Sequence, residues 1–259
     1  MSDHKLEDAA FDAEATFEVE DYMYFYSDML KEASTERQLA FLVDALDLHA
    51  PPELPVPLRI LDLACGFGRH ANRLAAMGHQ VVGVDLMEGF LQLARQDAQA
   101  RGVTVDYRQG DMRQIDFEQE FDRVLLMFTA FGYFSDEENA LVLSKVARAL
   151  KPGGLFVMDI HNRDMFLKDF LPEHVTEKEG NLMIDRITFD SLTGRLHNRR
   201  IVIRNGVRKD KPYSVRMYNP SEIKALLETS GLQIQQFCSD WEGNPISTES
   251  RRMIIIARK

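Results

Sequence analysis

The stretch Leu61-Asp62-Leu63-Ala64-Cys65-Gly66-Phe67-Gly68-Arg69-His70 decides how the chain is read. An apolar run enters a glycine turn and leaves it as an amphipathic segment, the order of a buried strand, a tight turn and a helix. Gly66 and Gly68 let the backbone turn sharply and let a ligand lie against the main chain. The helix start offers unpaired N–H groups to an anionic end of that ligand. Two cofactor classes satisfy this segment, because Gly66-x-Gly68-x-x-Ala71 also fits a loose dinucleotide fingerprint.

Working outward, the next apolar run ends at Asp85, where a carboxylate can accept hydrogen bonds from both ribose hydroxyls of a nucleoside laid across two strands. Both cofactor classes use that arrangement. Gly110-Asp111-Met112 follows the third run and sets an acceptor beside an apolar cover, as an adenine ring requires. Leu150-Lys151-Pro152-Gly153-Gly154, then a terminal helix and hairpin, differ from the second mononucleotide half of a nicotinamide dehydrogenase, so that reading becomes the alternative.

Strands are expected at 59–63, 80–84, 104–108, 121–127 and 155–159, alternating with helices at 69–77, 88–101 and 136–150. This alternation predicts a parallel sheet covered on both faces. Ser135 with Glu138 caps the last of these helices, and Lys151-Pro152-Gly153-Gly154 stops it. After residue 159 the pattern changes to an antiparallel meander at 182–189, 195–204 and 212–218, with turns at 190–194 and at Asn205-Gly206. Asn219-Pro220-Ser221-Glu222 opens a further helix, and strands at 232–237 and 252–257 end the chain. Upstream, one helix is expected at 18–31 and a second from Thr35, with Thr35 and Gln38 as a capping box and Leu39, Leu42, Val43 and Leu46 on one face. Pro51, Pro52, Pro55 and Pro57 form a stiff connector.

With these residues in place, the run from 59 to about 162 resembles the core of class I S-adenosylmethionine (SAM) dependent methyltransferases, and the terminal helix and hairpin resemble its end. The chain is similar in particular to bacterial small-molecule methyltransferases with Cys-Gly-x-Gly-Arg-His in the first loop and Phe-Gly-Tyr-Phe after the fourth strand, and more distantly to sugar N-methyltransferases. The resemblance implies an α/β, doubly wound, Rossmann-like seven-strand mixed sheet with the last strand antiparallel, an N-terminal helical lid and a small antiparallel insert. The expected division is an acidic tail and helices (1–57), a SAM-binding core (58–162), the insert (163–218), and a helix and hairpin completing the core (219–259).

It also implies site residues. Asp62, Ala64, Cys65, Gly66 and Gly68 lie beside the methionine part of SAM, although Ala64 stands where the fullest motif has glycine. Asp85 holds the ribose, Leu86 and Met87 flank the adenine, Asp111 with Met112 receives its amino group, and Met127 and Phe128 line the cofactor. Tyr26, on a helix that lids the pocket in that subgroup, touches SAM.

The acceptor is expected to be a small molecule methylated at N or O. In-line displacement from a sulfonium can proceed by alignment in a dry pocket, with a base required only for a protonated nucleophile. His161, after the fifth strand at the sheet edge where ligands gather, is the candidate base. Tyr22, Asn162, Arg200 and Tyr218 are candidate substrate contacts. A protein that binds SAM without catalysis remains open beside the enzyme.

Charge and composition bound the partners. A net charge of -10 disfavours a nucleic acid interface. Between residues 185 and 216, however, nine basic residues face three acids, which suits either an anionic substrate or the solvated faces of antiparallel strands. No apolar run spans a membrane, and no Cys/His cluster has metal-ligand spacing. Cys65 and Cys238 alone, with an acidic start unlike a signal peptide, read as a cytoplasmic chain without a disulfide framework. Oligomeric state is not legible in these residues.

Overall fold

A computed structural model describes residues 11–49 and 57–259. The connector prolines Pro51, Pro52 and Pro55 and the first part of the acidic tail lie outside the described residues.

The chain opens with three helices, α1 (Ala13–Thr16), α2 (Val19–Phe25) and α3 (Glu32–Ala45). The core follows as β1 (Arg59–Leu63), α4 (Ala71–Ala76), β2 (Gln80–Asp85), α5 (Glu88–Arg101), β3 (Asp106–Gln109), β4 (Phe121–Leu126), α6 (Asp136–Ala149) and β5 (Leu150–His161). Then come α7 (Arg163–Lys168), β6 (Glu173–Lys178), β7 (Asn181–Asp190), β8 (Arg195–Arg204) and β9 (Val207–Arg216). The chain ends with α8 (Pro220–Thr229), β10 (Gln233–Cys238) and β11 (Arg252–Arg258).

Two sheets result. The larger has seven strands in the order β10-β11-β5-β4-β1-β2-β3, parallel from β5 to β3, with β11 antiparallel to both of its neighbours. Alternation along each strand sends side chains to opposite faces. Ile60, Leu125 and Val157 join α3, α4 and α5 in one cluster, while Leu61, Val124 and Phe156 join α6 and α8 in the other. Because β1 sits between β2 and β4, the connections diverge above its carboxyl end and leave a crevice there. The smaller sheet, β6-β7-β8-β9, is fully antiparallel. It sits beside that crevice, tied to it by the Arg216 N–H donating to Gly132 O at 2.8 Å.

Caps explain several boundaries. Ser135 and Glu138 form the reciprocal box that starts α6, and Asn219 and Glu222 do the same for α8, with Pro220 at its first position. Asn205 and Gly206 both adopt positive φ and close the β8–β9 hairpin.

Four sequence expectations are corrected. The helix starting at Thr35 begins instead at Glu32, because Thr35 and Gln38 are buried and spend their side chains on Arg69 rather than on the helix end. The single helix at 18–31 is only α2, followed by turns, with α1 ahead of it. The meander has four strands rather than three. β6, polar and mostly exposed, lacks the apolar alternation that betrays a strand, and β9 starts before Pro212, which an edge strand tolerates. Finally, α7 was not anticipated; it is six residues long and capped by Asn162.

Candidate active site

The glycine turn is shaped from below. At Gly68, whose φ is +74°, a Cβ would lie 2.1 Å from the Tyr107 hydroxyl, and that hydroxyl donates to Asn72 Oδ1 at 2.7 Å. The loop therefore rests on Tyr107, which with Cys65 also fills the space beside Gly83. Ala64 takes φ +55°, a left-handed conformation that costs an alanine about 1 kcal/mol relative to glycine.

Above the loop lies the first cavity, about 150 Å³, over the carboxyl ends of β1, β2 and β4. Asp85 closes it at the end of β2. Its Oδ2 accepts the Gly66 N–H at 2.7 Å and its Oδ1 the Met87 N–H at 2.8 Å, so each oxygen keeps a lone pair for a ligand. Burial raises its pKa, partly countered by these backbone donors. Asp111 lines the same cavity, gripped by the Arg113 guanidinium, which outweighs burial and holds the carboxyl below its usual range. Leu86, Met87, Met112 and Met127 complete an apolar surround.

Two buried polar atoms on this lining have no hydrogen-bond partner, Asp62 Oδ2 and Arg69 Nη2. Burial pushes the Asp62 carboxyl up to about 7, with Arg69 acting in the opposite sense. Arg69 is 6% exposed, and burial lowers its pKa to about 10. Its Nη1 donates to Gln38 Oε1 at 2.6 Å and Thr35 Oγ1 at 3.2 Å, and its guanidinium lies 5.1 Å from the Phe128 ring centroid. His70 Nε2 shares Gln38 Oε1 at 2.9 Å, and burial lowers its pKa. Arg69 escaped the sequence reading, although it stands inside the decisive motif; the signal was a cation directly following the second glycine.

A second cavity, about 240 Å³, opens between β5 and the small sheet. The two share Phe17, Tyr22, Phe128, Thr129 and Tyr133. Phe128 and Thr129 both hold positive φ, +62° and +60°, a strained pair. Asp159 fixes it: its carboxylate accepts the Phe128 N–H and its carbonyl the Thr129 N–H, while Arg252 grips the carboxylate from β11.

His161 and Tyr218 line this second cavity, as does Tyr26. His161 is exposed to solvent at the end of β5 while its ring is packed into the cavity, and this partial desolvation lowers its pKa and favours the neutral imidazole near pH 7; the ring has no hydrogen-bond partner among the described residues. Asp185 and Asn198, unforeseen, face it from the small sheet. Arg200 stands behind them, donating to both Asp185 oxygens and, at 2.9 Å, to the Tyr26 hydroxyl. Neither cavity is lined by Arg200 or Asn162. Asn162 is occupied as the cap of α7 and as a donor to Ser250 O at 2.9 Å. Gly68 also stays off the lining, shaping the loop from beneath.

Residues 60–154 match the methyltransferase domain family. The chain is a SAM-dependent methyltransferase. It is 28% identical over 191 residues to the dTDP-4-amino-2,3,4,6-tetradeoxy-D-glucose N,N-dimethyltransferase of Saccharopolyspora spinosa, covering 70% of this chain and 74% of that one. The CcbJ methyltransferase of Streptomyces caelestis superposes with a TM-score of 0.72 at 25% identity, over 88% of this chain and 92% of that one. A SAM-dependent methyltransferase of Clostridium acetobutylicum shares the fold, with a TM-score of 0.77 at 17% identity over 92% and 98% of the two chains. Class I methyltransferases thus account for the mixed sheet, and the nicotinamide alternative falls away. Among the described residues no helix is long and apolar enough to cross a membrane, and no group of three His, Cys, Asp or Glu side chains is placed to hold a metal.

Proposed function

We propose that this methyltransferase moves the SAM methyl to a nitrogen, in preference to an oxygen, of a small molecule held in the second cavity. The observation that carries the reading is the shared wall of the two cavities: Tyr22, Phe128, Thr129 and Tyr133 border both, so a ligand in each would meet there.

The unpartnered atoms fit the cofactor. Arg69 Nη2 suits its carboxylate and Asp62 Oδ2 its ammonium, two charges that a buried cation and a buried carboxyl would otherwise leave uncompensated. Asp85 would take the ribose hydroxyls, Asp111 the adenine amino group, and Leu86, Met87 and Met112 the ring. When bound, SAM supplies an electrophilic methyl on sulfur. The chain's own residues then orient the acceptor and keep water out, with His161 taking a proton from an acceptor ammonium so that the freed lone pair can attack. A neutral imidazole suits that task. The nitrogen preference is supported by the similarity to an amino-sugar N,N-dimethyltransferase. The insert's cations argue against an anionic acceptor: Arg200, Arg204, Lys209 and Lys211 are paired with Asp185, Glu18, Glu20 and Asp21.

Calorimetry with SAM and S-adenosylhomocysteine (SAH) tests the cofactor half. Both should bind, and Asp85→Ala should weaken SAH by about 1 to 3 kcal/mol, the cost of hydroxyls left without an acceptor. Failure of both ligands to bind the folded wild type at millimolar concentration discards the proposal. Labelled-methyl transfer to paired amine and alcohol panels tests the acceptor half, and turnover of alcohols alone would reverse the nitrogen assignment.

A further inference from the structure

Helix α2 has two differently dressed faces. Val19, Tyr22 and Tyr26 recur at helical spacing on one face, Val19 lying over Gly89 and Tyr22 against Phe90 with ring centroids 5.2 Å apart. Asp21 and Phe25 occupy another, which meets the small sheet. Phe25 packs with Met183 and Val202. Asp21 Oδ2 receives Lys211 Nζ at 2.7 Å, and both side chains are only 4% exposed. Arg204 Nε lies 2.7 Å from Asp21 Oδ1, and Glu18, the residue before the helix, accepts from Lys211 at 2.8 Å and from Lys209. At the far end Tyr24 donates to Lys178 O at 2.8 Å while Lys178 Nζ donates to Tyr24 O at 2.8 Å.

Seven residues cannot hold a helix in water unaided, and this one has no side-chain cap. Its order is borrowed from the sheet. The attachment is buried, charged and multiply bonded, whereas contact with the core above the first cavity is apolar and sparse. Yet the same helix carries Tyr22, which borders both cavities, and is followed by Tyr26, which borders the second.

We propose that Glu18, Asp21, Lys209 and Lys211 are positioning residues that weld α2 to the small sheet, so that lid and insert move as one clasp and cofactor binding organises the acceptor cavity. The inference rests on the SAM reading above. A lid tied to the core alone would close over the cofactor and leave the acceptor wall untouched. A lid tied to the insert brings Asp185, Asn198 and Tyr213 with it, so each ligand favours the other, and the coupling is reciprocal.

Amide hydrogen exchange with and without SAH, on the full chain, tests this. SAH should slow exchange at residues 64–68, in 19–25 and also in the 182–216 strands. Lys211→Met should retain protection at 64–68 but lose it in 182–216, and SAH affinity should fall a few-fold, because a seven-residue lid helix cut loose from the sheet must be ordered at the cofactor's expense. Lys211→Arg should restore both. Should Lys211→Met fail to fold, Lys209→Met, at a more exposed position, should show the same loss in milder form. Protection of 19–25 by SAH with no change in 182–216 of the wild type overturns the clasp, as does full protection of both segments in the Lys209→Met and Lys211→Met variants. Absence of SAH binding, seen as unchanged exchange at 64–68, overturns the cofactor reading and the clasp with it.

Discussion

The two cavities share five side chains but are built by different means. The first is made of strand ends and a glycine turn, and its key bonds run between neighbours in one sheet, such as Asp85 to the Gly66 N–H at 2.7 Å. The second is enclosed by side chains from α2, β5, β11 and the small sheet, among others, spanning Phe17 to Arg252. The former depends on backbone geometry, which few substitutions can imitate. The latter depends on which side chains the insert presents, and such a wall can change its chemistry while the cofactor cleft stays constant.

If the cavities divide the labour in this way, the largest effect should come from the acceptor side. His161→Gln is expected to slow methyl transfer by about 10² to 10⁴-fold, the usual worth of a positioned base. SAH affinity should be unchanged by calorimetry, since His161 borders only the second cavity. Equal losses in rate and SAH affinity would show that the two regions are not separable. The acid limb of the wild-type rate profile should fall below pH 6.5, because desolvation of its ring in the cavity lowers the His161 pKa.

On the backbone side, Gly68→Ala should destabilise the protein by about 3 kcal/mol, as overpacking against Tyr107 adds to the cost of φ +74°. Gly66→Ala, at φ +55° with open space around it, should cost only about 1 kcal/mol. Denaturant midpoints compare them. Equal costs would mean that Tyr107 does not support the turn.

A pH titration sharpens the electrostatics of the first cavity. The Asp62 carboxyl is raised to about 7 in the folded protein, against about 3.9 for an unfolded aspartate. The folded state therefore holds a proton that the unfolded state gives up between those values. Stability of the ligand-free protein should fall as pH rises through that window, by up to about 1.4 kcal/mol per unit, and level off above 7. Asp62→Asn should flatten the slope in urea unfolding, and an unchanged slope would assign the proton elsewhere.

The core was legible because its signals are local. The motif at 61–70, the strand ending at Asp85 and the caps at Ser135 and Asn219 each report a backbone event through residues a few positions apart. Thr35 and Gln38 misled for the same reason: their spacing is that of a cap, but Arg69, 34 residues from the one and 31 from the other, claimed them. The basic run at 185–216 was ambiguous by itself. Only the fold shows Arg204, Lys209 and Lys211 facing Glu18, Glu20 and Asp21. Asn162 and Arg200 had the right residue types for substrate contacts, yet their side chains are engaged in a helix cap and in a pair with Asp185.

By itself, then, the sequence determined the sheet, the turn over β1 and the carboxylates that border the first cavity, since hydrophobic period and glycine placement act over a few residues. The tertiary structure alone decided which side chains meet in the second cavity, and that α2 belongs to the insert. Those contacts join residues more than 150 positions apart, such as Asp21 and Lys211, and no local pattern encodes a pairing whose energy appears only once both surfaces have folded.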